Sequence, residues 1–253
     1  MQAIFVVALS LLMTLSSLSM ALGADARDLQ SLGVGHVHMD ISCSPTVSRN
    51  FDIALALLHN FWYPRALSMF DQVIQADPEC AMAYWGAAMT YNHPFWDAPT
   101  QTDERSAWAL VQKGMKAKEK SPREGMYIDA VAVLYRDGGA GKKSDRDKAY
   151  RNTMATLYAS YPDDDTKLFY ALSILGTIEE GSPWSAQQEL AARLIEQVYA
   201  DDPHNPGALH YMIHAYDDPV HAVQGLKSAR AYAEAAPAVP HALHMPSHIF
   251  TRL

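Results

Sequence analysis

Cysteine is scarce, clustered positive charge is absent and long apolar stretches are all but missing. With only Cys43 and Cys80 in 253 residues, a single bridge is the most this chain can form. Its 20 Lys and Arg stand against 28 Asp and Glu, for a formal net charge of −8, and no basic run exceeds Lys142-Lys143. Such a chain lacks the basic stripe by which proteins hold a polyphosphate backbone, which excludes nucleic acid as a partner. Beyond residues 4–15 no segment approaches the ~18 apolar residues of a membrane-crossing helix. Three catalytic signatures are missing too. Gly138-Gly139-Ala140-Gly141-Lys142-Lys143-Ser144 lacks the Gly-Lys-Ser/Thr order of a phosphate loop, no Glu follows His210 or His244 as in a zinc peptidase, and Pro246-Ser247-His248 is not a nucleophile elbow.

What remains is a hydrophobic, helix-forming chain with an uneven distribution of histidine. Residues 1–23 read as a signal peptide, an apolar run followed by small residues at Ala21-Leu22-Gly23-Ala24, although the usual basic start is missing. Left uncleaved, the same segment would be a membrane anchor. The mature chain is expected in the periplasm or outside the cell, with no membrane contact beyond this segment. Residues 24–46 form an extended lead-in in which His36 and His38 point to the same side. From Val47 onward apolar residues recur at helical spacing: Phe51, Ala54, Leu55 and Leu58, then Ala66, Phe70 and Val73 after a break at Pro64. The pattern is interrupted over residues 92–147. There an aromatic loop, His93-Pro94-Phe95-Trp96, precedes helices near 106–120 and 123–136. Helical pairs resume to the end.

Six of the eleven histidines lie in the last 47 residues, and five of them fall into two clusters. His210 and His214 are four apart, and His241, His244 and His248 are spaced by three and four, so each group forms a stripe on one helix face. His210 to His244 and His214 to His248 are both 34 residues, the period of a helix-turn-helix repeat.

Together these features resemble the tetratricopeptide repeat. Ala66, Phe70 and Pro78 match its small, aromatic and proline positions, and Tyr84, Ala87, Ala88 and Tyr91 match its first-helix pattern. Asn50 and Ala54 replace the usual first-helix Trp and Gly. Segments such as His93-Pro94-Phe95-Trp96 and His244-Met245-Pro246-Ser247-His248-Ile249-Phe250 look like those of exported tetratricopeptide proteins of unassigned activity. The resemblance implies an all-α, right-handed solenoid of helix hairpins over residues 47–253. The final helix, expected to run on from Pro240, has no partner helix before Leu253, so the sequence is expected to be a piece of a longer protein.

In that family the concave face binds ligands through fixed first-helix positions. Counted from Pro240, His241, His244 and His248 fall at positions 2, 5 and 9. Counted from Pro206, His210 and His214 fall at 5 and 9, and Asp217 and Asp218 at 12 and 13. His59 and His93 both fall at position 13 of their units, stacked at one end of the groove with the His36/His38 arm over them. Trp96 adds to an aromatic wall. The resemblance thus implies a binding or scaffold protein that takes a protein, peptide or small molecule in a histidine-lined groove. The rival reading makes His210, His214, His241, His244 and His248 ligands of Zn, Fe, Cu or Mn, in a metal-binding protein or a metal-dependent enzyme, because neutral imidazole is the commonest metal ligand. For the cysteines, helix hairpins begin and end at one pole, which brings Cys43 and Cys80 together as a disulfide favoured by export. The alternative places Cys43 with His36 and His38 as a soft ligand set.

Overall fold

A computed structural model describes residues 33–179 and 181–253; the expected signal peptide, residues 24–32 of the lead-in and Glu180 lie outside the described residues. The described chain is all-α, without a strand, as the periodicity implies. Its hairpins pair α1 (Ser48–His59) with α2 (Tyr63–Ala76), α3 (Ala81–Met89) with α4 (Gln101–Lys116) and α5 (Pro122–Gly139) with α6 (Lys143–Ser160). They continue with α7 (Asp164–Leu175) on α8 (Ala186–Asp201) and α9 (Pro206–Ala215) on α10 (Ala222–Ala235), before the short α11 (Pro240–His244) and α12 (Pro246–Phe250).

Sequence chemistry sets many of these boundaries. The helix expected from residue 106 starts at Gln101 because Thr100 and Asp103 form a reciprocal capping box, and Ser121 and Glu124 repeat the device on α5. Asn205 caps α9, its Oδ1 accepting from the backbone N–H of Gly207 and Ala208. The interruption at residues 92–147 is therefore a loop followed by helices that continue the stack, α4 against α3 and α5. The single helix expected from Pro240 is divided: Pro246 has no N–H for the preceding turn, while Met245 keeps helical dihedrals.

The hairpins make two layers. α3 buries every one of its nine residues and α9 nine of its ten, whereas α4 buries three of sixteen and α6 three of eighteen. A helix apolar on all sides belongs inside, so α1, α3, α5, α7 and α9 form the inner layer. Trp85, Tyr127 and Phe169 meet edge-to-face there, with Trp85 and Phe169 centroids 4.9 Å apart. The inner layer also closes on itself, since α1 packs directly on α9. Gly207 makes this approach possible; a Cβ at that position would lie 2.7 Å from Nδ1 of His59.

The lead-in is a strap rather than a free arm. Val34, Val37 and Met39 are buried, the Asn60 side chain donates to the Val34 carbonyl, and Ala238 donates to that of Gly33. His38 binds Asp52 at 2.9 Å and Asp40 at 3.3 Å, and His36 faces solvent, so neither covers His59 or His93 as expected.

Cys43, before α1, and Cys80, the N-cap of α3, form a disulfide with Cα atoms 4.8 Å apart, which removes the alternative of Cys43 as a metal ligand beside His36 and His38. The bridge spans 37 residues, and closing such a loop stabilises by about 4 kcal/mol in the chain-entropy model. Denaturant unfolding of Cys43→Ala/Cys80→Ala should show a loss of that order; an unchanged midpoint would mean that the bridge constrains nothing in the unfolded chain.

Candidate functional site

Where α1 meets α9, a backbone carbonyl faces an imidazole. The carbonyl of His59, last residue of α1, accepts from Nδ1–H of His210 at 2.6 Å. That bond fixes the tautomer. With its proton on Nδ1, neutral His210 offers only a lone pair at Nε2.

Two other imidazoles converge on that lone pair. Nε2 of His214, one turn along α9, is 3.1 Å from Nε2 of His210, and Nε2 of His241, on α11, is 3.0 Å away. All three donor atoms lie within 4.8 Å of one another. One lone pair cannot accept two well-aligned hydrogen bonds, so hydrogen bonding alone leaves this trio underused. A tetrahedral ion with Zn–N bonds of 2.0–2.1 Å separates its donors by about 3.3 Å, close to the 3.0 and 3.1 Å at His210.

Electrostatics keep the trio neutral. Burial, then the neighbouring His214 and His241, depress the pKa of His210 well below the usual imidazole value; burial and the facing His241 and His248 do the same to His214. Burial, with His244 and His248 nearby, brings His241 down to about 4. All three present unprotonated nitrogen at neutral pH, as metal ligation requires.

Aromatic rings enclose the trio. Phe95 stacks on His214 at 4.0 Å, Phe61 meets His210 edge-on at 4.3 Å, and Trp96, 43% exposed, lies 5.9 Å from His241. Phe61 is held there by a strained backbone, with φ +54. It occupies the left-handed position that ends α1: its N–H reaches the Leu58 carbonyl and that of Trp62 the Leu57 carbonyl, the pattern normally completed by glycine. Glycine would relax the turn but remove the ring that touches all three histidines.

The remaining candidates divide. His244 and His248 pair with each other, Nε2 to Nε2 at 3.1 Å, instead of joining His210 and His214 in one cluster. Asp217 accepts from Nδ1 of His248 at 2.8 Å and from Arg252 at 2.9 Å. The two groups adjoin, with His241 and His244 centroids 6.1 Å apart and those of His214 and His248 6.5 Å apart. Asp218 does not face this site; it binds His221 and caps the turn into α10, under a stack of Trp184 on His221.

His59 is not a groove residue. It is fully buried, stacked on Phe169 at 5.0 Å with Nδ1 on the Tyr211 hydroxyl, because α9 covers the face that an open solenoid would expose. His93 stacks instead on Tyr63 at 4.6 Å, beside Trp96. Phe61 and Phe95 belong to the aromatic runs that the sequence offers as core or ligand-facing wall, whereas Asn60 and Tyr211 were missed as site residues. Asn60 could have been suspected, a polar side chain in an apolar run; it binds the hydroxyl of Tyr232, whose ring stacks on His210 at 5.2 Å.

No family model matches this sequence, and no curated protein matches it. Among solved structures the chain is similar to YrrB, described as a tetratricopeptide-repeat protein with an unusual peptide-binding site. The identity is 16% and the TM-score 0.40, over 79% of this chain and 91% of that one.

His59, at 0% exposure, has a pKa lowered to about 3 by burial. Below pH 6.5 the unfolded chain therefore takes up a proton that the folded chain refuses until about pH 3. Stability present above pH 6.5 is lost as the pH falls through that window, by about 2 kcal/mol from this residue between pH 7 and 5. Metal-free protein unfolded in urea at the two pH values should lose about this much less in His59→Gln than in the parent, and an equal loss in both would place His59 in contact with water.

Proposed function

We propose that this helical-repeat protein binds one transition-metal ion through Nε2 of His210, His214 and His241, and that the ion is its ligand-recognition element. The observation that supports this most directly is the approach of two imidazole nitrogens to the one lone pair of His210, at 3.0 and 3.1 Å. Three imidazoles leave a coordination position open, as in zinc sites that bind an exogenous group. An all-imidazole set suits Zn, Cu or Fe, and ranks Mn last because manganese prefers carboxylate oxygen.

With α1 packed on α9, His59 and His210 are fully buried, while Trp96 beside His241 is 43% exposed. An approach to the histidines beside Trp96 suits a small molecule, or one side chain or terminus of a peptide, better than an extended segment. Three neutral ligands would leave a divalent ion with its full +2 charge beside aromatic walls, which favours an anionic donor with an apolar body. Export is part of the same reading. It rests on the apolar leader and on the Cys43–Cys80 bridge, which belongs in an oxidising compartment.

Metal analysis of untagged protein should find about one tightly held equivalent, abolished in His241→Ala while the helical circular dichroism stays that of the parent. Purified protein that holds no transition metal and takes none up on reconstitution would remove the reading.

A further inference from the structure

Beside the three-histidine group lies a second arrangement built on the same plan. In the first, an oxygen acceptor, the His59 carbonyl, holds Nδ1 of His210, and Nε2 faces a second Nε2 at 3.1 Å one helical turn away. In the second, the Asp217 carboxylate holds Nδ1 of His248 at 2.8 Å, and Nε2 faces that of His244 at 3.1 Å, again four residues apart. A carboxylate on the far nitrogen of an imidazole fixes the tautomer and raises basicity, the usual support of a ligating histidine. Asp217 is itself held by Arg252 at 2.9 Å.

We infer that His244 and His248 hold a second metal ion next to the first, making the end of the chain a two-metal centre. This rests on the proposed metal at His210, His214 and His241. The second ion has two protein ligands and a more exposed setting, so it binds more weakly and keeps several positions for water or a shared oxygen ligand. Ring separations of 6.1 and 6.5 Å between the groups place the ions within reach of one bridging anion. Two ions sharing an anion clamp it from both sides, which makes oxyanions such as carboxylates or phosphate esters the ligand class. Fixed geometry sets this pair apart from an adventitious surface chelate: Asp217 comes from the loop after α9, whereas both histidines lie on α11 and α12.

The test is Cu(II) titration of full-length untagged protein, followed by calorimetry and electron paramagnetic resonance. Two equivalents should bind, the second more weakly, and only the two-equivalent protein should show dipolar coupling between the ions. His244→Ala should abolish the second equivalent and the coupling while changing first-site affinity less than about threefold. Asp217→Asn, which leaves both ligating nitrogens in place, should weaken the second site about 10- to 100-fold. A second equivalent without coupling, or one indifferent to Asp217, would be a surface chelate and would overturn the inference. One equivalent lost only with His241→Ala would overturn it while sustaining the first site; no binding at all would overturn both.

Discussion

The candidate site depends on one hydrogen bond, that from Nδ1 of His210 to the carbonyl of His59, 151 residues away. It forms because helix α1 ends at His59 and α9 carries glycine at the point of closest approach. Without it His210 could exchange tautomers and its Nε2 could donate as readily as accept. With it, the lone pair is committed and the two neighbouring imidazoles have something other than one another to satisfy. The bond thus joins the largest event of the fold, the meeting of the first and fifth hairpins, to its most specific chemistry.

That meeting also accounts for costs near the site. Phe61 adopts a left-handed conformation that disfavours a bulky residue by roughly 1–2 kcal/mol, and His59 is taken out of water with Nε2 unpartnered. Neither helps an isolated helix hairpin. Both make sense where the ring of Phe61 packs on three histidines and the backbone of His59 orients one of them. The strap of residues 33–42 adds to the same end: Asn60, which it engages through Val34, also binds Tyr232 behind the His210 ring.

The fold was readable because it is local. Periodicity at Phe51 to Val73 and the prolines between helices specify hairpins without reference to distant residues, and the pole-to-pole logic of a hairpin brought Cys43 to Cys80. The site was readable only in part. Spacing identified histidine stripes, but the 34-residue register paired His210 with His244, whereas the structure pairs it with His241, 31 residues on. His241, in the first turn of α11, meets His210, and His244 turns to His248 instead. Closure of α1 on α9, which buried His59, is a contact between distant segments and leaves no periodic trace in sequence. The same holds for the left-handed turn at Phe61, since nothing in an Asn-Phe-Trp tripeptide announces a residue that glycine normally fills.

The most direct test of the central claim is an anomalous-difference map from crystals of untagged protein grown with zinc and recorded at the zinc edge. One strong peak should lie about 2.0–2.1 Å from Nε2 of each of His210, His214 and His241, with Nδ1 of His210 still on the His59 carbonyl. No peak there, with the three rings turned apart or hydrogen-bonded to water, would contradict the account.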